Sequence, residues 1–245
     1  QGKVISNLQI VVIDDEVLIL LPKNIATYFI DKISKYILMS EVKFEINSNA
    51  KILSVIGDKA YELLDENKLT STNACKRINK NDLLINMSTS SLKQCRYIIF
   101  DNEKDKNIKY ELFKGPYTCL IDLFNLFTRL KKEDIEKFIP QVLNADNLDT
   151  VNYKKGCYTG QEVVARTHYL GSVKKHVYLG FLNKANNDEK IIINKDGESV
   201  GELIGETFLH NNILLSHCIL RDSCNFKDLF VDKSKFEIIS MEDTA

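Results

Sequence analysis

Lys155-Gly156-Cys157-Tyr158-Thr159-Gly160-Gln161-Glu162-Val163-Val164-Ala165-Arg166 is the most informative run in the chain. Glycines flank the cysteine and permit turn conformations closed to other residues. Thr159 and Glu162 have the S/T-x-x-E spacing of a capping box, which predicts a helix beginning at Thr159. Glu162 and Arg166 then fall one turn apart, in the order that favours an ion pair. Cys157 stands just before the expected cap, beside free amide groups and the positive end of the helix dipole, and Lys154 and Lys155 precede it. Both influences stabilise thiolate over thiol, so Cys157 reads as a reactive thiol and the candidate catalytic residue. The competing reading is a small buried residue that alone fits between Gly156 and Gly160.

Upstream of this run the pattern is mixed. Lys3 to Ile13 and Glu16 to Leu21 are rich in Val, Ile and Leu around Asp14-Asp15, which predicts a hairpin. Pro22 suits a helix start. Ile25, Tyr28, Phe29, Ile33, Tyr36 and Ile37 then mark one apolar stripe, predicting a helix of about four turns. Strands are expected at Val42 to Ile46, Ile52 to Ile56, Leu83 to Ile85, Arg96 to Phe100 and Ile108 to Phe113, with a second helix starting at Gly57-Asp58. The polar stretch Asp65 to Asn81 reads as irregular, and the charged run Asp101 to Lys106 as a solvated hairpin tip. After the break at Gly115-Pro116, Leu120, Leu123, Phe124, Phe127 and Leu130 predict another amphipathic helix.

Downstream, short strands separated by turns occupy Lys175 to Phe181, Ile191 to Ile193, Val200 to Ile204, Ile213 to Leu220 and Phe236 to Ile239. They predict a small antiparallel barrel or sandwich. The fold class is therefore α+β: antiparallel sheets with packed helices over residues 1–171, followed by a C-terminal antiparallel β-barrel over 172–245.

Composition narrows the function. With 33 Lys+Arg against 34 Asp+Glu in 245 residues, the chain has no global footprint for nucleic acid or anionic membrane, although a local basic patch can hide in a neutral total. No run approaches a membrane span and no secretory signal is visible, so a soluble cytoplasmic protein is expected. The 6 cysteines are scattered without a C-x-x-C pair, and reduced thiols are expected. His168, His176, His210 and His217 match no zinc spacing, and no metal site is assigned. Phosphate-cradling and dinucleotide motifs are absent. The chain opens on Gln1 rather than Met, as a piece of a longer product would.

The run Lys155 to Glu162, continued by Val164-Ala165-Arg166 and preceded by Phe138-Ile139-Pro140-Gln141 and Asn147-Leu148-Asp149, resembles the signature of the YgfZ family, folate-binding relatives of the glycine cleavage T-protein. The resemblance implies a T-protein-like core followed by a small barrel. It also implies a tetrahydrofolate-binding accessory factor that supports iron-sulfur cluster assembly or repair in client enzymes, including radical enzymes that thiolate tRNA. Under it the functional role falls to Cys157, supported by Lys155, Gly156, Tyr158, Gly160, Gln161, Glu162 and Arg166. Asp122, Asn125 and Gln141 become candidate folate contacts, Asp122 because a carboxylate can pair with the amino-pyrimidine edge of a pterin. Gly2-Lys3 resembles the start of the strand that in the family follows an earlier segment, so the core is expected to lack that segment.

The chain departs from the family pattern in two respects: before Phe138, where relatives often carry an Arg-x-Glu-x-Gly run whose acidic residue helps hold the pterin, it has Asp122, Asn125, Thr128 and Arg129, and the second departure, from T-proteins, bears on chemistry. Where they carry an Asp-Asp pair whose carboxylate acts on the folate, this sequence has Ser6-Asn7, which supplies no ionised carboxylate. Aminomethyl transfer by that route is not expected. A folate-dependent one-carbon transferase or demethylase with a covalent Cys157 is one alternative. Direct tRNA binding through Lys154, Lys155, Lys174, Lys175 and His176 is another, and it ranks below the accessory role.

Overall fold

The computed structural model describes residues 2–37, 39–79, 82–87, 94–99, 117–148, 150–156, 158–183 and 189–239. Packing divides the chain into two units, one of Gln1–Asn7, Leu21–Lys35 and Gly115–Thr244, the other of Leu8–Leu20 and Tyr36–Lys114.

In the second unit, Gln9–Ile13 (β1) and Glu16–Leu20 (β2) form the expected hairpin, with Ile10 opposite Ile19 and Val12 opposite Val17. Alternation turns Val11 inward against Leu83 and Ile85 and leaves Ile10 and Val12 exposed. Lys51–Ile56 (β3), Cys75–Asn79 (β4), Asp82–Asn86 (β5) and Gln94–Ile99 (β6) make an antiparallel sheet in the order β3-β6-β5-β4. The helix Asp58–Glu66 (α2) lays Ala60 and Leu64 on Leu84. Thus β5 is covered on both faces, which is why Leu83-Leu84-Ile85 reads as an unbroken apolar run.

Two expectations fail in this unit. Cys75–Asn79 is a strand although its sequence is polar; it sits at the sheet edge, where no second neighbour has to be satisfied, and Arg77 donates to Asp14 Oδ2 and Glu16 Oε2 of the hairpin, both at 2.9 Å. Val42 to Ile46 forms no strand: among the described residues no sheet edge pairs with it, and Val42 and Ile46 are exposed. The run Asp101 to Lys106 and the expected strand Ile108 to Phe113 lie outside the described residues.

In the first unit, Lys23–Ile33 (α1) buries Ile25 and Phe29. It is three turns long rather than four, because the backbone tightens into a 3-10 turn over Ser34–Tyr36 as the Ser34 hydroxyl donates back to the Ile30 carbonyl at 2.7 Å. Tyr117–Phe124 (α3) is likewise shorter than its apolar stripe predicts. Leu126 turns left-handed at φ 53, and the amides of Leu126 and Phe127 return to the Leu123 and Asp122 carbonyls, the pairing of a Schellman stop. The usual glycine of that stop is missing, so nothing in the sequence announced it. Phe127 and Leu130 follow the helix rather than lie on it.

Lys175–Asn183 (β7), Ile191–Asn194 (β8), Ser199–His210 (β9), Ile213–Arg221 (β10), Leu229–Val231 (β11) and Ser234–Ile238 (β12) close into a barrel in the order β10-β7-β12-β11-β8-β9, every pair antiparallel. Its interior holds Leu182, Ile192, Leu203, Cys218, Leu220, Leu229 and Phe236. The three-residue β11 is too short to carry a periodic signal and was not expected. On the opposite face of β7, Leu179 packs with Phe208 against Cys119 and Leu123 of α3. The described residues from Tyr117 on belong to the same compact unit as the barrel.

Two buried polar groups fasten the connection. His217 on β10 lies Nε2 to carbonyl oxygen 2.8 Å from Leu123 near the end of α3, so Nε2 donates, and burial lowers its pKa to about 4. Asp134, 2% exposed, accepts the amides of Gly205 on β9 at 2.9 Å and Lys131 at 3.2 Å. Among the described residues no helix is long and apolar enough to cross a membrane.

Candidate functional site

The conspicuous sequence run sits on a turn and helix held by three separate segments of the first unit. Pro140–Leu143 forms a 3-10 turn, which fixes Gln141 in the interior at 6% exposure. Gln161–Leu170 (α4) starts at Gly160, whose φ of 95° is open to glycine and strained for other residues. This displaces the expected capping box. Thr159 lies outside the helix, no side chain caps its start, and Glu162 is one position too early to reach back. Among the described residues, no ion pair joins Glu162 to Arg166; both are exposed. Cys157 lies outside the described residues.

Gly2 packs against the entry to α4. A Cβ there would come within 3.0 Å of the Gly160 carbonyl and 3.3 Å of Val164. The residues from Lys3 to Leu8 belong to no sheet, contrary to the strand expected from Lys3: the Val4 amide donates to the Phe138 carbonyl at 2.8 Å, and the Glu136 amide donates to the Val4 carbonyl at 2.9 Å. Ser6 Oγ donates to the Asn7 carbonyl at 2.9 Å and Asn7 Nδ2 to the Thr128 carbonyl at 3.0 Å. Both neutral side chains are thus committed to backbone oxygens.

A polar chain runs behind the helix. Gln141 Nε2 donates to the Val164 carbonyl of α4 at 2.8 Å and to Tyr153 Oη at 3.1 Å. Tyr153 Oη donates to Asp146 Oδ1, while Asp146 Oδ2 lies 3.3 Å from His168 Nδ1. The Tyr153 and His168 rings stack with centroids 3.8 Å apart, and Tyr169 meets the His168 ring edge-on. Burial, then the bond to Asp146, hold the Tyr153 phenol protonated well above its usual range. Gln141 Oε1 is buried without a hydrogen-bond partner. Sequence reasoning missed Asp146, Tyr153 and His168 as a group, because loop residues that meet through space leave no periodic mark.

The remaining residues singled out from the sequence are distributed as follows. Lys155 and Gly156 are exposed, Tyr158 is 46% exposed, and Gln161 is half-buried with Nε2 3.5 Å from the Lys155 carbonyl. Asp122 is buried on α3 and paired with Arg129, beside a cleft too narrow to admit a water molecule; Asn125 is half-buried just past the helix end. The Asp122 carboxylate pairs with Arg129 and the Gln141 amide nitrogen with Val164 and Tyr153, which leaves the Gln141 amide oxygen as the buried acceptor. Of the histidines, His217 is a core residue and His176 pairs with Asp222 at 2.8 Å. Among the described residues, no group of three or more His, Cys, Asp or Glu is placed to hold a metal.

The fold is that of a glycine cleavage T-protein. The glycine cleavage system aminomethyltransferase T of Bartonella henselae matches 98% of this chain and 72% of its own, with a TM-score of 0.60 at 10% identity. In sequence the chain is a distant homologue of the tRNA-modifying protein YgfZ. It is 26% identical over 230 residues to that protein from Yersinia pseudotuberculosis, covering 91% of this chain and 67% of the relative. It is 30% identical over 154 residues to the one from Aliivibrio fischeri, where the match covers 60% of this chain and about half, 46%, of the relative's length. No family model matches the chain.

Proposed function

We propose that this protein is a tetrahydrofolate-binding accessory factor acting in the cytoplasm, which supports iron-sulfur client enzymes, including those that thiolate tRNA, with Cys157 as its reactive thiol. Distant homology to proteins named for tRNA modification supports the client class, and the T-protein fold supports folate as the ligand. The observation that carries the accessory role is the pair Ser6 and Asn7. Neither is a carboxylate, and both spend their donors on backbone oxygens, so neither can act as an anionic partner to folate nitrogen.

The test is complementation of a bacterium lacking its own YgfZ, reading the content of thiolated tRNA. Wild type is expected to restore it, and Cys157→Ser to fail while keeping the wild-type melting temperature. Restoration by Cys157→Ser overturns the thiol role, and failure of wild type overturns the accessory reading. The T-protein fold favours one second reading, a one-carbon transferase; multiple turnovers of tetrahydrofolate with a methylamine donor would establish it.

A further inference from the structure

The near-zero net charge conceals a local concentration of cations around α4. At 3.6 residues per turn, Glu162, Val163, Arg166, Tyr169 and Leu170 share one arc of about 120°. All five are exposed, Tyr169 at 65% and Leu170 at 84%. Lys154 and Lys155 run alongside this helix, because the preceding residue, Tyr153, stacks on His168 in its last turn. Lys174 and Lys175 follow its C-terminal end. Lys175 stands directly opposite Arg221 in the β7–β10 ladder, and Arg221 lines a cleft with Asp196, Glu198 and Asp228. The adjacent Asp222 is taken by His176.

Among the described residues, none of Lys154, Lys155, Arg166, Lys174 and Lys175 has an ion-pair partner, and Glu162 is the one acid on the exposed arc. Between the two cation groups in sequence stand exposed rings. Tyr169 meets the stacked Tyr153 and His168 rings edge-on and stays exposed, and Tyr158, also exposed, precedes the helix. Unpaired cations flanking exposed aromatic rings are what a phosphate backbone with unstacked bases requires.

We propose that this face binds a single-stranded nucleic acid, with phosphates on the cations and bases stacked on Tyr169 and Tyr158. The inference does not depend on folate binding or on Cys157. An acidic protein surface would match the charges but has no need of exposed stacking rings.

The test is fluorescence anisotropy of the full chain with a labelled twelve-nucleotide single-stranded RNA across a salt series. Expected is a slope of log affinity against log salt of about −3 or steeper, the value for four or more phosphates on a single strand. Lys154→Glu, Lys155→Glu and Arg166→Glu together should weaken binding at least tenfold, and Tyr169→Ala about fivefold or more. Lys233→Glu, with the same charge change, should stay within twofold: the β11–β12 turn lies by register at the Asn183 end of β7, away from Lys175. Circular dichroism confirms that each variant folds. No binding at low salt, equal loss in Lys233→Glu, no loss in Tyr169→Ala, or capture of an acidic protein without RNA affinity each overturns the proposal.

Discussion

Gln141 and Val164 are joined across 23 intervening sequence steps by a 2.8 Å hydrogen bond from the glutamine amide to a carbonyl of α4. The same amide nitrogen reaches Tyr153, so one buried side chain fixes both the helix and the loop that leads into it. Gln141→Ala is expected to lower stability by about 2 kcal/mol, through the lost bonds and the space left behind. Urea unfolding measures this; a change under about 0.5 kcal/mol would show that the latch is idle.

Tyr153→Phe keeps the ring on His168 and removes the bonds to Asp146 and Gln141, at an expected cost of about 1 kcal/mol. Its pH signature has a definite sign. The folded phenol is held protonated above its usual range, while the unfolded phenol titrates near pH 10, roughly its free value. Above that pH the folded state retains a proton that the unfolded state has lost, so stability falls as pH rises. Melting temperatures across the alkaline range should drop less steeply in Tyr153→Phe. Burial also raises the Tyr178 phenol, so part of the slope should remain.

His217 acts at the acid end. Its pKa of about 4 in the barrel compares with roughly 6.5 when unfolded. Between these values the unfolded chain binds a proton that the folded one refuses, so stability is lost as pH falls, by about 3 kcal/mol at most. Chemical denaturation at pH 7 and pH 4.5 should show the loss. His217→Gln, which can still donate to the Leu123 carbonyl, should be less stable at pH 7 yet show a shallower acid slope.

The positive φ of Gly160 predicts that Gly160→Ala costs about 1 kcal/mol. Gly2→Ala should cost more, since φ is again positive at 68° and the added methyl meets a backbone oxygen at 3.0 Å. Thermal melts order the two. A wild-type melt for Gly2→Ala would mean that the N-terminal segment does not brace α4.

Asp134→Ala strands the amides of Gly205 and Lys131, and should destabilise by about 2 to 3 kcal/mol. Asp134→Asn retains an acceptor oxygen and should recover about half of that loss. Equal losses for the two would show that charge, rather than acceptance of the two amides, matters at this position.

Local chemistry set by neighbouring residues was legible in the sequence. Runs rich in Val, Ile and Leu marked β1, β2, β7, β10 and the first half of β9, and the Lys155 to Glu162 run marked both the kinship and the turn into α4. These signals survive in one dimension because strand alternation and helix spacing depend on residues within a few positions of each other. What ended each element, and what met what, was decided in three dimensions. Leu126 stops α3 in a conformation its side chain disfavours, Cys75–Asn79 becomes a strand through a sheet edge and the anchor from Arg77, and Gly160 rather than Thr159 opens α4. The chain from Gln141 through Tyr153 and Asp146 to His168 is the same kind of feature. Its members are scattered along the sequence and become neighbours only when the fold removes water from around them, which makes each hydrogen bond costly to leave unmade.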